Sequence, residues 1–218
     1  MPRMAETPAD WAAETEQKVL DAALALAPSE GWTPRMATMA GRACGLTPEE
    51  TGLLLPHGPQ DLAALLSRRH DARALTLLAG LDPAAMKVRA RIRAAVEARL
   101  DAADADGRAV WRWAGFLALP WNAELGLRLA WESADRLWRW AGDTATDENH
   151  YSKRALLAGI LTGGLAVRLS SGREDALAFV DRRIADVMAF ETWKATTKLK
   201  PSQFAEQAAR ALAKARYR

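Results

Sequence analysis

Only one cysteine, two tyrosines, four phenylalanines and three histidines occur among the 218 residues. Cys44 alone can close no internal disulfide and build no thiolate metal site, so a reducing interior is the expected compartment. Valine and isoleucine are also sparse, while alanine, leucine and arginine dominate. That balance favours helices, and no strand is expected anywhere. No run approaches the roughly 18 uninterrupted apolar residues that cross a bilayer. Met1 to Asp10 shows neither the apolar core of a signal peptide nor an Arg/Ser-rich amphipathic pattern, so no targeting segment is expected there. What is plentiful is apolar surface: 50% of the residues are hydrophobic, enough for a packed core in a chain of this length.

The net charge of +3 is unevenly placed. Residues 191–218 hold seven basic residues (Lys194, Lys198, Lys200, Arg210, Lys214, Arg216 and Arg218) against Glu191 and Glu206, a net of +5, so the first 190 residues carry −2. Such polarity points to an anionic partner for the tail and not for the body.

Apolar spacing predicts helices along almost the whole chain. A first helix reads from about Ala13 to Ala27, ended by Pro28 and Gly31, and a short second one fits Pro34 to Cys44. Gly45-Leu46-Thr47-Pro48 makes a tight turn, with Thr47 as N-cap of a third helix that stops at Pro56. This order has the shape of a helix-turn-helix module. A fourth helix starts near Gln60. Another runs from an Asp82 cap to about Leu100, with Val88, Ile92, Ala95, Val96 and Leu100 as its buried stripe. Helices follow at about 107–118, 122–142, 147–170, 174–192 and 202–217. The expected organisation is a flexible 1–12, a helix-turn-helix-like module at 13–70, a helical core at 71–192 and a basic linker with a last amphipathic helix at 193–218.

The chemistry that would make the first module read DNA is missing. A recognition helix needs Arg, Lys, Asn or Gln aimed at base edges and basic neighbours for phosphates. No Lys or Arg occurs between Leu46 and Ser67, and Glu49 and Glu50 open the third helix, where they favour the helix dipole and repel a duplex. No nucleic-acid partner is therefore expected. Catalytic patterns are equally poor: His57, His70 and His150 are isolated and fall in no metal-ligand spacing, and no nucleophile elbow or phosphate-cradling glycine loop is present. No catalytic residue, metal site or cofactor is assigned.

Nine tryptophans stand against those few other aromatics, and Trp111, Trp113, Trp121, Trp131, Trp138 and Trp140 fall within thirty residues. Trp131 and Trp138, seven apart, fit a core stripe; the cluster also fits an apolar cavity lined by wide side chains. In the tail, Phe204, Ala208 and Leu212 recur every four residues, and Arg210, Lys214 and Arg218 form a separate stripe. Phe204, Arg210, Leu212 and Lys214 would let this basic amphipathic helix lie on an anionic bilayer; packing back on the body or on a second copy is the alternative.

The runs LALPWNAELGLRLAWESADRLWRWAGDTATDENHYSKRALLAGIL and DRRIADVMAF, with GWTPRMATMAGRACGL, LLLPHGPQDLAALL and KVRARIRAAVEARL upstream, resemble the ubiquinone-biosynthesis accessory family called coenzyme Q protein nine. The likeness covers roughly residues 14–190 and is most specific at AGDTATDENHYSKRALL. It implies an all-α, TetR-repressor-like bundle that forms a homodimer and binds an isoprenoid lipid or phospholipid. It implies a peripheral place on a membrane; with no targeting segment visible, the expected setting is the cytoplasm and inner membrane of a bacterium, or the matrix side of a mitochondrion if the source is eukaryotic. A quinone precursor would be presented to a di-iron demethoxyubiquinone hydroxylase. By that likeness the lipid lining would include Trp113, Leu117, Leu129, Trp138, Leu161 and Met188. The hydroxylase would dock on Asp135, Leu137, His150, Tyr151 and Arg154, with His150 standing where the family commonly has tryptophan. The alternatives are a TetR-type ligand-responsive repressor and an enzyme acting directly on a quinone precursor.

Overall fold

The computed structural model describes residues 8–143 and 148–197 and is all-helical among them. The elements are α1 (Pro8–Glu30), α2 (Pro34–Ala43), α3 (Pro48–Leu54), α4 (Pro59–Leu78), α5 (Val88–Asp104), α6 (Arg108–Leu117), α7 (Ala123–Trp140), α8 (Glu148–Ser171) and α9 (Arg173–Thr197), with 3₁₀ turns at Pro83–Ala85 and Pro120–Asn122. This is consistent with the expected TetR-like bundle. The chain divides into two compact units inside α9, one up to Val180 and one from Asp181 on. The expected membrane helix, with Phe204, Arg210, Leu212 and Lys214, lies outside the described residues.

Two boundaries differ from the pattern in the sequence. Pro28 does not end α1 but sits in its last turn; the stop is Gly31, at φ +72°, whose N–H donates to Ala27 O. Asp82 does cap a turn, accepting from Ala84 N–H at 2.9 Å, but only a 3₁₀ one. Met86 is extended, so α5 begins afresh at Val88, which is exposed and not part of the buried stripe.

Helices α1, α2 and α3 form the helix-turn-helix-like start. Thr47 and Glu50 close a reciprocal capping box: Glu50 N–H donates to Thr47 Oγ1 at 3.2 Å, and Thr47 N–H donates to Glu50 Oε2 at 2.8 Å. Glu50 is thus bound to its own helix end. Gly41 on α2 lets α3 approach closely, because a Cβ there would fall 2.1 Å from Thr51 Oγ1. The apolar interior joins Val19, Leu20 and Ala23 of α1, Met36 and Ala40 of α2, Leu62 and Leu66 of α4, and Val110 and Trp113 of α6. Trp32 and Trp113 are buried, and both indole N–H groups donate to carbonyls of α4, to Pro59 O at 2.8 Å and to Ala63 O at 3.1 Å. Behind them α4 packs along α5 and α7 along α8. Gly163 and Gly164 of α8 leave room for Phe179 and for Leu100 and Val180.

Polar groups are also taken into this interior. His70, with no exposed surface, is bonded through Nε2 to Asp106 Oδ2 at 2.7 Å at the α5–α6 turn, and Arg73 donates to the same oxygen at 2.8 Å. Burial pushes the imidazole down to about 4, against the hydrogen bond to Asp106, which favours the charged ring; Arg99 and Arg73 add to the lowering. Burial raises the Asp106 carboxyl, but the bonds from His70 and Arg73 outweigh it and hold the group below its ordinary value.

Two outcomes follow from this packing. Gly41→Ala forces the α2–α3 contact apart and is expected to destabilise by about 1–3 kcal/mol in denaturant unfolding, with partial recovery in Gly41→Ala/Thr51→Ala. His70 is neutral when folded and binds a proton more readily when unfolded, so its share of stability is complete above about pH 6.5. That share is lost as pH falls toward about 4, amounting to about 3 kcal/mol. Unfolding midpoints measured from pH 7.5 to 4 should show that loss, and His70→Gln, which keeps a donor for Asp106 without titrating, should lack it.

Candidate functional site

Between α5, α6, α7 and α8 lies a cavity of about 690 Å³, within the size range of small-molecule sites. Its walls are mostly apolar: Leu100 of α5, Trp113, Ala114 and Leu117 of α6, Gly126, Leu129 and Ala130 of α7, and Leu161, Leu165 and Leu169 of α8. Small residues on α6 and α7 hold the volume open where larger side chains would fill it. Trp111 and Leu127 also line it while remaining 57% and 74% exposed, so apolar surface continues from the cavity to the outside of the protein. A second cavity, also about 690 Å³, lies between the end of α1 and the outer side of α6, lined by Trp32, Arg108, Arg112 and Phe116. Trp111 and Gly115 belong to both.

The first cavity is not apolar throughout. Ser67 of α4, Arg99 of α5 and Ser133 of α7 reach it together, each buried. Arg99 Nε donates to Asp71 Oδ1 at 2.7 Å, Ser133 Oγ donates to the same oxygen at 2.7 Å, and Arg99 Nη2 lies 3.5 Å from Ser67 Oγ.

Of the six residues expected to line a lipid site, Trp113, Leu117, Leu129 and Leu161 share these walls, and Trp138 and Met188 are not among them. The indole of Trp138 donates to Lys153 O at 3.0 Å, and the Lys153 ammonium sits over its ring. Trp138 therefore joins α7 to α8. Met188 is 47% exposed and belongs to the second unit. The tryptophan cluster is not a core stripe either: of its six members only Trp113 is buried, and Trp121 is 73% exposed.

The five residues expected to dock a partner come together on α7 and α8, but at different depths. Arg154, 2% exposed, donates through Nε to Asp135 Oδ1 at 2.6 Å and through Nη1 to Asp143 Oδ2 and His150 O, both at 3.1 Å. Burial raises the Asp135 and Asp143 carboxyls, yet hydrogen bonds from Arg154, with Arg139 and Lys153 respectively, hold both below the usual carboxylate range. Leu137 is fully buried. Arg154 and Leu137 thus lie under the surface, and Tyr151, 65% exposed, stands on it, between the ring of His150 at 5.2 Å and that of Trp131 at 6.2 Å.

Sequence reasoning missed Asp71, Arg99 and Ser133. One signal was available: Arg99 lies seven residues after Ile92, on the buried stripe of its own helix, where an arginine is out of register unless it has a buried partner. Nothing local identified that partner as Asp71.

The family model described as COQ9 matches residues 123–191, which comprise α7, α8 and most of α9. Curated relatives named ubiquinone biosynthesis protein COQ9, mitochondrial, are similar over 80% of this chain: the protein of Bos taurus at 28% identity, of Rattus norvegicus at 29% and of Homo sapiens at 27%. The chain spans 58–59% of the length of these three relatives. The family-model match falls on the helices that carry Tyr151, Arg154 and one wall of the α5–α8 cavity, and the chain is similar to these COQ9 proteins over most of its own length.

Proposed function

We propose that this protein is a lipid-binding accessory protein of ubiquinone biosynthesis: it takes an isoprenoid quinone precursor, or a phospholipid in its place, from the membrane into the α5–α8 cavity and presents it to a di-iron hydroxylase. The observation that carries the reading is the cavity itself, 690 Å³ with leucine and tryptophan walls and an apolar rim at Trp111 and Leu127. Leaving the bilayer exposes an isoprenoid tail to water. At about 25 cal/mol per Å², covering several hundred Å² of tail offsets on the order of 10 kcal/mol of that exposure. The work is physical and asks no covalent step of the protein. The names of the relatives support the pathway and weigh toward a mitochondrial setting over a bacterial one.

In this reading the hydroxylase meets the surface of Tyr151 and His150, which Arg154 holds in place from below by tying α8 to Asp135. The protein acts as a homodimer, and its basic tail keeps it on the membrane. The repressor alternative gains nothing from α3, whose Glu50 is engaged in the capping box and whose outer face carries Glu49.

Protein purified without detergent should release an isoprenoid or phospholipid into an organic extract, read by mass spectrometry. Ala130→Trp, which adds an indole to the cavity wall, should lower the retained lipid at least fivefold at unchanged helicity. An empty wild-type protein would overturn the reading. Tyr151→Ala should weaken association with the hydroxylase at least tenfold in a pull-down titration with the melting temperature unchanged, because the side chain is exposed.

A further inference from the structure

The polar corner of the α5–α8 cavity has a structure of its own. Ser67, Arg99 and Ser133 are its buried polar wall residues, they come from three different helices, and they meet at one place. The wall on α8 is formed by Leu161, Leu165 and Leu169 with Ala166 and Thr162. A ligand entering such a space meets a polar end and an apolar length, which orients it.

The donors at that end are fixed and only partly used. A guanidinium offers five N–H groups. Among the described residues Arg99 gives one to Asp71 and one, at the 3.5 Å limit, to Ser67. Asp71, 1% exposed, accepts from Arg99 and Ser133 on Oδ1, while its buried Oδ2 accepts no hydrogen bond and has Arg136 Nε only at 3.9 Å. Asp71 therefore already neutralises Arg99, and the corner presents aimed N–H donors without an unbalanced charge of its own. That combination fits a neutral acceptor, such as a ring carbonyl or ether oxygen, better than a phosphate, which would have to compete with Asp71 for the same cation.

We propose that Arg99 and Ser67, held by Asp71 and Ser133, form the head-group site of the cavity, which binds the neutral, oxygen-bearing ring of an amphipathic ligand whose apolar tail lies along α8. The proposal rests on the lipid-binding reading above and adds to it the class of head group and the direction in which the ligand lies. A quinone-type head would be selected by hydrogen bonding at Arg99, and the tail would contribute affinity with little selectivity.

Three probes with the same tail test this: decyl-1,4-benzoquinone, decylbenzene and decyl phosphate, each displacing the fluorescent N-phenyl-1-naphthylamine from the protein. The wild type should prefer the benzoquinone at least tenfold over either of the others. Arg99→Leu/Asp71→Leu removes both charges and leaves no buried ion unpaired. It should bind decylbenzene as before while its quinone preference falls to within twofold. A preference that survives in this variant overturns the assignment, as does a wild type that favours decyl phosphate. Should the double variant fail to fold, Ser67→Ala decides, with a threefold or larger drop in quinone preference expected and an unchanged preference counting against the site. If the wild type binds none of the probes, the lipid-binding reading fails first and this site with it.

Discussion

Asp71 is the group on which the arrangement of the middle helices depends. A carboxylate with 1% of its surface exposed is costly to hold away from water unless its partners are supplied in place, and they come from two other helices, Arg99 on α5 and Ser133 on α7. Breaking any one of these contacts leaves a buried charge poorly paired, so α4, α5 and α7 have one favourable relative position. From the adjacent position on α4, His70 does the same for the α5–α6 connection through Asp106. Apolar packing alone would tolerate sliding of one helix on another; these bonds do not.

The fixed frame is what allows an apolar space to persist. Leucine-rich walls left to themselves would close over a 690 Å³ cavity, because exposed apolar surface and lost dispersion contacts both favour collapse. Here the walls belong to helices held apart by the polar frame, with indoles bonded to neighbouring backbones. The same residues that set helix positions also supply the only charged lining of the cavity among the described residues, so structural and binding roles coincide at Arg99.

The helix-turn-helix-like start shows how a shape can persist without its chemistry. Its turn, caps and close α2–α3 approach are intact, with Gly41 against Thr51 and Glu50 closing the box on Thr47. Those acidic residues stabilise the helix start by the same electrostatics that disfavour a phosphate backbone there. On the α7–α8 side, buried Arg154 plays the supporting part, joining two carboxylates so that Tyr151 stands on a firm surface.

The sequence by itself determined the helices and most of their ends, because apolar spacing, prolines and the Thr47 cap act within a few residues of where they stand. It also carried the family likeness in α7 and α8, and through that likeness four residues that line the cavity, Trp113, Leu117, Leu129 and Leu161. Its errors arose where a distant partner decides. Pro28 is accommodated in the last turn of α1, Trp138 turns to the Lys153 carbonyl and away from the cavity, and Leu137 and Arg154 lie beneath the surface they were expected to form. Only the tertiary structure brought Asp71, Arg99 and Ser133 together across 62 residues of chain, because pairing a buried charge depends on which helices become neighbours and not on the order in which they are written.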